Sequence, residues 1–137
     1  MKFFHLLLNS SSHGKVFHSV LDELPVTMEE FVPGEFQRYM NNNGTCYATL
    51  TEDHQEVYAK AECLVHFSYT FSEKKIMLVD LQSSMFKLYD PEIATSEFTS
   101  DTDKSYFCAR NLSHVSIDTF FKEHEYNKYC ELMGLKD

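Results

Sequence analysis

The sequence predicts an α+β domain, and three features of the chain support that class. A segment that begins at Thr51 repeats apolar residues at helical spacing as far as Phe71. The short run 75–81 is rich in Ile, Val and Leu, which is typical of a buried strand. A second helical pattern follows Ser116. Strands and helices that occupy separate parts of the chain favour α+β over alternating βαβ units.

The composition bounds the size of the protein and the kinds of partner it has. A chain of 137 residues with 43% hydrophobic and 15% aromatic residues is one domain with enough apolar material for a core. The net charge of −9 and the sequence pI of 5.2 disfavour nucleic acid and anionic membranes as partners. The cysteines are widely spaced, so we expect reduced thiols.

The first residues are predicted to lie outside the folded domain. Residues 9–14 are polar turn formers, so we expect an N-terminal appendage over 1–14 and the domain over 15–137. The apolar run 3–8 is interrupted by His5 and is too short for a secretory leader or a membrane span. A cytoplasmic location is therefore expected.

The first half of the domain reads as a strand, a turn, a loop and a long helix. Residues 26–32 are predicted as a mixed strand, 33–34 as a turn and 41–44 as a loop of Asn and Gly residues that tolerate positive φ. The helix that begins at Thr51 has acidic residues in its first turn. Its apolar stripe consists of Val57, Ala61, Leu64, Val65 and Phe71.

The second half reads as two short strands, a polar loop and a final helix. After a turn at 72–74, the strand 75–81 is expected to pair with 85–88. Residues 92–105 are predicted as a long solvated loop because Ser, Thr, Asp and Glu dominate them. The final helix is capped by Ser116 and ends at Gly134.

Three oxygen-bearing side chains lie around the predicted strands. Asp80 and Gln82 alternate along one strand, which would point them to the same face, and Asp90 follows the next strand. Mg²⁺ prefers oxygen ligands, and phosphoryl transfer needs such a metal to neutralise charge on the transferring group. Solvated turn residues are the alternative interpretation of the same pattern.

Several segments, taken in order, resemble the alpha-type (atypical) serine/threonine protein kinases. The segments are a hinge at 29–39 with an Asn/Gly loop at 41–44, a helix at 61–69, and motifs at 79–82, 88–91, 111–112 and 124–130. The resemblance runs from about residue 24 to residue 135 and covers the hinge and the C-terminal lobe. The ordered combination is more specific than any single segment.

The resemblance implies a role for each oxygen-bearing residue. Asp80 would be the catalytic carboxylate near the attacking hydroxyl, and Gln82 and Asp90 would bind magnesium beneath the ATP phosphates. Glu29 would belong to the hinge that holds adenine, although it also suits a solvent-facing position. The implied cofactor is ATP with Mg²⁺, and the implied partner is a protein substrate.

The resemblance also implies a structural zinc site, with one ligand altered. His66, His124 and Cys130 match the family pattern, but Tyr126 stands where a Cys is expected. A phenol is a poor zinc ligand, so a water or Glu125 completes the set, or no zinc binds and the residues simply pack. On an unbroken helix His124 and Cys130 are about a third of a revolution apart, so a common ion requires a bend.

Other positions depart from the family at glycines. Ser83, Cys108 and Ser113 stand where the family has Gly, and they are strained replacements if the backbone there needs positive φ. Tyr89 replaces a Thr before the Asp-Pro motif.

The phosphate-holding lysine of a kinase small lobe is not evident. Lys15 lies fourteen residues before Glu29, too close for a lobe to intervene, so we expect the small lobe to be largely missing. Two functions follow: a partial alpha-type kinase domain, or a non-catalytic pseudokinase-like interaction module. The surface left uncovered predicts self-association, or a small lobe supplied by another segment.

Overall fold

The computed structural model confirms the α+β class. It describes residues 16–29, 31, 33–47, 52–84, 87–97, 107 and 110–136, so the predicted appendage over 1–14 lies outside the described residues. Seven strands and three helices follow in this order: β1 Val16–Leu21, β2 Leu24–Glu29, β3 Phe36–Arg38, α1 Glu52–Phe71, β4 Ile76–Val79, β5 Gln82–Ser84, β6 Lys87–Tyr89, β7 Glu92–Thr95, α2 His114–Glu123 and α3 Lys128–Leu132.

A β-hairpin precedes the rest of the described fold. Strand β1 pairs with β2 in antiparallel register, from Val16 opposite Glu29 to Leu21 opposite Leu24. Asp22 and Glu23 form the turn with φ of 49° and 66°, which is the left-handed pair that matches the strand twist. The predicted strand 26–32 therefore begins earlier and ends at Glu29, and its partner β1 was not predicted.

Helix α1 carries the main core, as its apolar stripe predicted, except that Phe71 is 78% exposed. It buries Ala61, Leu64 and Val65 against β4, where Met77 and Val79 are fully buried. Each fully buried aliphatic side chain contributes about 1.5–3 kcal/mol. In the part of the chain that the structure describes, no helix is both long and apolar enough to cross a membrane.

The sheet pairing differs from the prediction. Strand β4 pairs with β7, with Ile76 opposite Thr95 and Val79 opposite Glu92. Of the predicted partner 85–88, the described residues Lys87 and Leu88 pair with β5. Strand β5 instead lies between β3 and β6. The prediction of a solvated loop over 92–105 is thus wrong for 92–95, because the backbone ladder and the buried Ala94 outweigh the polar neighbours.

The C-terminal segment forms two helices where one was predicted. Helix α2 ends at Glu123, residues 124–127 are not helical, and α3 begins at Lys128. Asn127 causes the restart, because its Oδ1 accepts hydrogen bonds from the backbone N–H groups of Tyr129 and Cys130 at 2.9 and 3.3 Å. Ser116, predicted as a cap, lies inside α2.

The loop 41–44 packs against α2 through a glycine. Gly44 has φ of 87°, and a Cβ built on it would lie 2.0 Å from the backbone oxygen of Ser116. Ser116 also donates its hydroxyl to the backbone oxygen of Asn42 at 2.5 Å. The predicted Asn/Gly loop is confirmed, and its glycine is required both by conformation and by close approach.

Candidate active site and candidate metal centre

The oxygen-bearing residues meet at one end of the three-stranded sheet β3-β5-β6. Gln82, the first residue of β5, lies opposite Arg38 of β3 on one side and opposite Tyr89 of β6 on the other. Asp80 precedes Gln82 by two residues, and Asp90 directly follows Tyr89. The strand register therefore brings the backbones of all three predicted residues to the same end of the sheet, here named the sheet edge.

The turns on either side of the edge adopt an unusual backbone conformation. Asp80 has φ of 50° and Asp90 has φ of 49°. Asp is one of the few residues that occupies this left-handed region at low cost, because its short side chain bonds locally. Since Asp80 lies between strands, strand alternation is not what orients it beside Gln82; the turn does so.

Arg38 places a positive charge in the middle of this edge. Its Nη2 donates to Gln82 Oε1 at 3.1 Å, and its Nε lies 3.7 Å from Asp80 Oδ1. Its Nη1 donates to Asn41 Oδ1 at 3.4 Å. The buried Nε has no hydrogen-bond partner among the described residues. The spacing of residues did not predict this contact, although the basic residue of the hinge segment was a visible signal.

The charges at the edge raise the pKa of the central carboxyl. Asp80 is only 7% exposed, and burial is the main reason that its pKa lies above the usual value. Arg38 opposes the shift, while Glu92 and Asp90 add to it through charge repulsion. Arg110 pairs with Glu92 at 2.8 Å on the same side of the site. An excess of carboxylates around a buried acid is an arrangement that a bound cation would stabilise.

The positions where the resemblance implies a glycine differ in backbone conformation. Ser83 is a buried strand residue without positive φ, and its hydroxyl shares a 2.5 Å hydrogen bond with Tyr39. Ser113 does have positive φ, 51°, so a serine holds a conformation that favours glycine. Its hydroxyl donates to the backbone oxygen of Thr95 at 2.7 Å, which offsets part of the strain. Cys108 lies outside the described residues.

Two further predicted positions are described only in part. Glu29 is the last residue of β2, and Tyr89 is the last residue of β6. The predictions for their side chains, the adenine hinge and the bulky neighbour of the metal site, lie outside what the structure describes.

A second group of side chains forms a compact donor set away from the sheet edge. His66 Nδ1 lies 3.2 Å from His124 Nε2, and Cys130 Sγ lies 3.5 Å from the same nitrogen. All three donor atoms lie within 4.8 Å of one another. The break between α2 and α3 supplies the bend that this convergence needs.

The donor distances suit zinc. Tetrahedral Zn²⁺ with ordinary bond lengths places two ligand nitrogens about 3.3 Å apart and a nitrogen and a sulfur about 3.6 Å apart. His124 Nδ1, on the far side of its ring, lies 3.3 Å from Glu62 Oε2. A carboxylate behind a metal-binding histidine fixes the ring orientation and raises its basicity. The residues present therefore fit a metal ion.

Neither Tyr126 nor Glu125 belongs to the donor set, although the ring centroid of Tyr126 lies 6.5 Å from that of His66. The Tyr126 hydroxyl donates to the backbone oxygen of Leu135, and Glu125 is exposed. Cys63 was not predicted as part of the site, yet it is fully buried beside Cys130 in a second apolar cluster. Burial, and then the charge and hydrogen bond of Cys130, raise the pKa of the Cys63 thiol to about 12.

A separate cavity of about 330 Å³ opens at the other end of the β4–β7 pair. It lies at Ile76 and Thr95, whereas Asp80 follows the opposite end of the pair at Val79. This cavity is therefore not part of the edge formed by Asp80, Gln82 and Asp90.

Solved structures with this fold are catalytic domains of protein kinases. The alpha-kinase domain of myosin heavy chain kinase A in complex with ADP superposes with a TM-score of 0.70 and 25% identity, over 85% of this chain and 43% of that one. A C-terminally truncated alpha-kinase domain of myosin heavy chain kinase gives 0.68 and 26%, over 82% and 39%. The fold is thus that of part of an alpha-kinase domain.

The sequence comparison names the family. The model of the Alpha-kinase family matches residues 3–130, and the chain belongs to this family. Alpha-protein kinase 2 of Danio rerio is 32% identical over 120 residues, which is 86% of this chain. Alpha-protein kinase vwkA of Dictyostelium discoideum is 30% identical over an alignment of 142 positions that covers 95% of this chain. This chain spans only 6% and 21% of those two proteins.

Proposed function

We propose that this chain is a phosphotransferase lobe that transfers the γ-phosphate of ATP to a Ser or Thr hydroxyl of a protein. Asp80 acts as the catalytic carboxylate, and Gln82 and Asp90 are the magnesium ligands. The observation that carries the proposal is the convergence of these residues at one edge of the sheet β3-β5-β6. Related solved domains bind ADP and AMPPCP, which supports ATP as the nucleotide.

The chemistry follows from the residues at the edge. Magnesium, when bound, neutralises charge on the phosphates. The raised pKa of Asp80 makes its carboxylate a stronger base, which suits it to accept the proton of an incoming hydroxyl. Arg38 lies close enough to Asp80 to help position that carboxylate.

We also propose a structural zinc ion held by His66, His124 and Cys130. The support is the donor spacing and the position of Glu62 behind His124. An ion there would join α1 to the segment between α2 and α3, so its free energy of binding would stabilise the fold.

A non-catalytic interaction module is the second candidate. The observation that favours it is Arg38, whose guanidinium already occupies the Gln82 oxygen and faces Asp80. A fixed internal cation at this position competes with a metal ion for the same ligands. Ser113 has a positive φ that glycine would adopt without strain, and this replacement also favours the non-catalytic module.

The exposed hairpin supports a further protein partner. Strands β1 and β2 expose apolar side chains, and a two-stranded hairpin is only marginally stable alone. The exposed apolar residues are Phe17, Val20, Leu21, Leu24 and Met28. We propose that another kinase segment, or a second copy, covers this hairpin.

The nucleotide proposal is tested by melting the protein with and without Mg²⁺-ATP. At 100 times the dissociation constant, a ligand stabilises the native state by about 2.7 kcal/mol. We expect the Asp90→Gly variant to lose this shift, because it removes a metal ligand while glycine tolerates the same φ. Asp22→Gly is the matched control, since Asp22 also has φ of 49° but lies in the hairpin turn.

Each outcome separates the two candidates. A full Mg²⁺-ATP shift in Asp90→Gly would refute the metal role of Asp90. A parent protein with no shift and no phosphoryl transfer would leave the non-catalytic module as the function. Loss of the Mg²⁺-ATP shift in Asp90→Gly, with the shift retained in Asp22→Gly, supports the phosphotransferase.

A further inference from the structure

The proposed zinc centre has three donors in this structure, and a structural zinc ion needs four. The identity of the fourth ligand rests on the proposed zinc ion. Tyr126 stands at the position where the resemblance to alpha-type kinases implies a Cys. Here the Tyr126 hydroxyl donates to the backbone oxygen of Leu135, so it is directed to the end of the chain.

Cys63 lies in a position to take over this role. It is three residues before His66 on α1, and residues at that spacing lie on the same face of a helix. Both side chains are buried, with exposures of 0% for Cys63 and 3% for His66. Cys63 packs in the same buried cluster as Cys130, which is itself one of the three donors.

The charge of the site favours a second sulfur ligand. Zn²⁺ with two neutral imidazoles and one thiolate carries a net charge of about +1 in its coordination shell. Glu62 Oε2, 3.3 Å from His124 Nδ1, offsets that charge only from outside the shell. Cys130 is fully buried, so solvent does not offset that charge. A second thiolate makes the coordination shell neutral.

We propose that Cys63 is the fourth ligand, so that the centre is a His₂Cys₂ zinc site in which one thiolate has moved from the segment after α2 to helix α1. Cys63 and Cys130 each lose a proton to solvent when the ion binds, and no redox change occurs. The Cys63 sulfur must move towards the ion when zinc binds, because the donor group within 4.8 Å in this structure consists of His66, His124 and Cys130. The site then takes two ligands from α1, one from the end of α2 and one from α3.

The ligand count can be measured on the intact protein. The whole chain is purified under reducing conditions and loaded with zinc, and X-ray absorption at the zinc edge counts sulfur neighbours at about 2.3 Å and nitrogen neighbours at about 2.0 Å. Cobalt substitution gives a second count, because the sulfur-to-cobalt charge-transfer band grows with each thiolate. We expect two sulfurs in the parent.

Two variants assign the sulfur to a residue. In Cys63→Ser the sulfur count should fall from two to one, the cobalt band should fall to about half, and zinc should bind more than about tenfold weaker. That limit is the lower end of the effect of losing an outer-shell partner. Cys46→Ser is the matched control, because Cys46 is a free cysteine outside the donor set, and both measurements should be unchanged.

The outcomes separate this inference from the zinc proposal. A parent that binds no zinc would overturn both. One sulfur in the parent, or two sulfurs that persist in Cys63→Ser, would overturn the role of Cys63 while the three-donor zinc site stands. Two sulfurs in the parent and one in Cys63→Ser establish the ligand, and the parent count does not depend on how well the variant folds.

Discussion

Replacing Gly44 by alanine should strongly destabilise the protein. The added Cβ would lie 2.0 Å from the backbone oxygen of Ser116 and 3.0 Å from the backbone nitrogen of Phe120. Neither is the end of a flexible side chain, so the loop 41–44 or helix α2 must move by more than about 1 Å to restore van der Waals contact. The same loop carries Asn41, which accepts a hydrogen bond from Arg38 at the candidate active site.

The expected cost of Gly44→Ala combines two unfavourable effects and one favourable effect. A left-handed φ costs an alanine about 1–2 kcal/mol, and overpacking adds about 1–3 kcal/mol. The smaller entropy of the unfolded chain returns about 0.4–1 kcal/mol. The net loss of unfolding free energy is therefore about 1–5 kcal/mol, a large part of the stability of a small domain.

Urea unfolding followed by circular dichroism measures this loss, provided that the denaturant slope is unchanged. Gly134→Ala is the control, because Gly134 has φ of 66° but nothing lies within 4 Å of the added Cβ. The control should lose about 1 kcal/mol or less. Equal losses in the two variants would refute the contact with α2 and leave only the effect of φ.

Two further predictions concern the candidate sites. Burial raises the pKa of Asp80, so its contribution to stability is fully present below the unfolded pKa of about 3.9 and is lost as pH rises through the folded pKa. In Asp80→Asn the side chain is neutral at every pH and tolerates positive φ. This variant should therefore have a higher melting temperature than the parent at pH 7, and the difference should disappear below about pH 4. An equal difference at both pH values would contradict the burial argument. His66→Ala should lower the free energy of unfolding by about 1–3 kcal/mol in chelator-treated protein as well as with zinc, because the side chain is buried in both states. An unchanged melting temperature without metal would show that packing of His66 does not matter.

Much of the fold could be predicted because its signals are local. The apolar stripe of α1 and the apolar run of β4 are properties of neighbouring residues, and both elements appeared close to their predicted bounds. The pairing of β4 with β7 depends on contacts between distant parts of the chain, which no local pattern encodes. Hairpin β1–β2 was missed for a related reason, since its turn is Asp22-Glu23 and lacks the Asn-Gly or Gly-Gly signature.

The donor set of the candidate metal centre could be predicted in part. The resemblance to alpha-type kinases predicts His66, His124 and Cys130 as zinc ligands, and the structure brings their donor atoms together. The break that allows this had a local signal, because Asn127 is a good N-cap residue. The contact of Glu62 with His124 and the packing of Cys63 beside Cys130 join distant parts of the chain, so they needed coordinates.

The candidate active site was harder to predict because its geometry depends on turns. Strand alternation predicts that Asp80 points to the same face as Gln82, yet Asp80 is in a left-handed turn. The contacts of Arg38 with both residues arise from the register of β3 against β5, which is again a long-range property.

The left-handed turn at Asp80 restricts how this site can change over time. Most replacements of Asp80 would remove the carboxylate and strain the backbone together, and selection for a folded protein would reject them even where no phosphoryl transfer is needed. Asn and Gly escape this restriction because they tolerate the same φ. An aspartate retained here is therefore weaker evidence of activity than it would be in a strand, and a homologue that has abandoned chemistry should carry Asn or Gly at this position first.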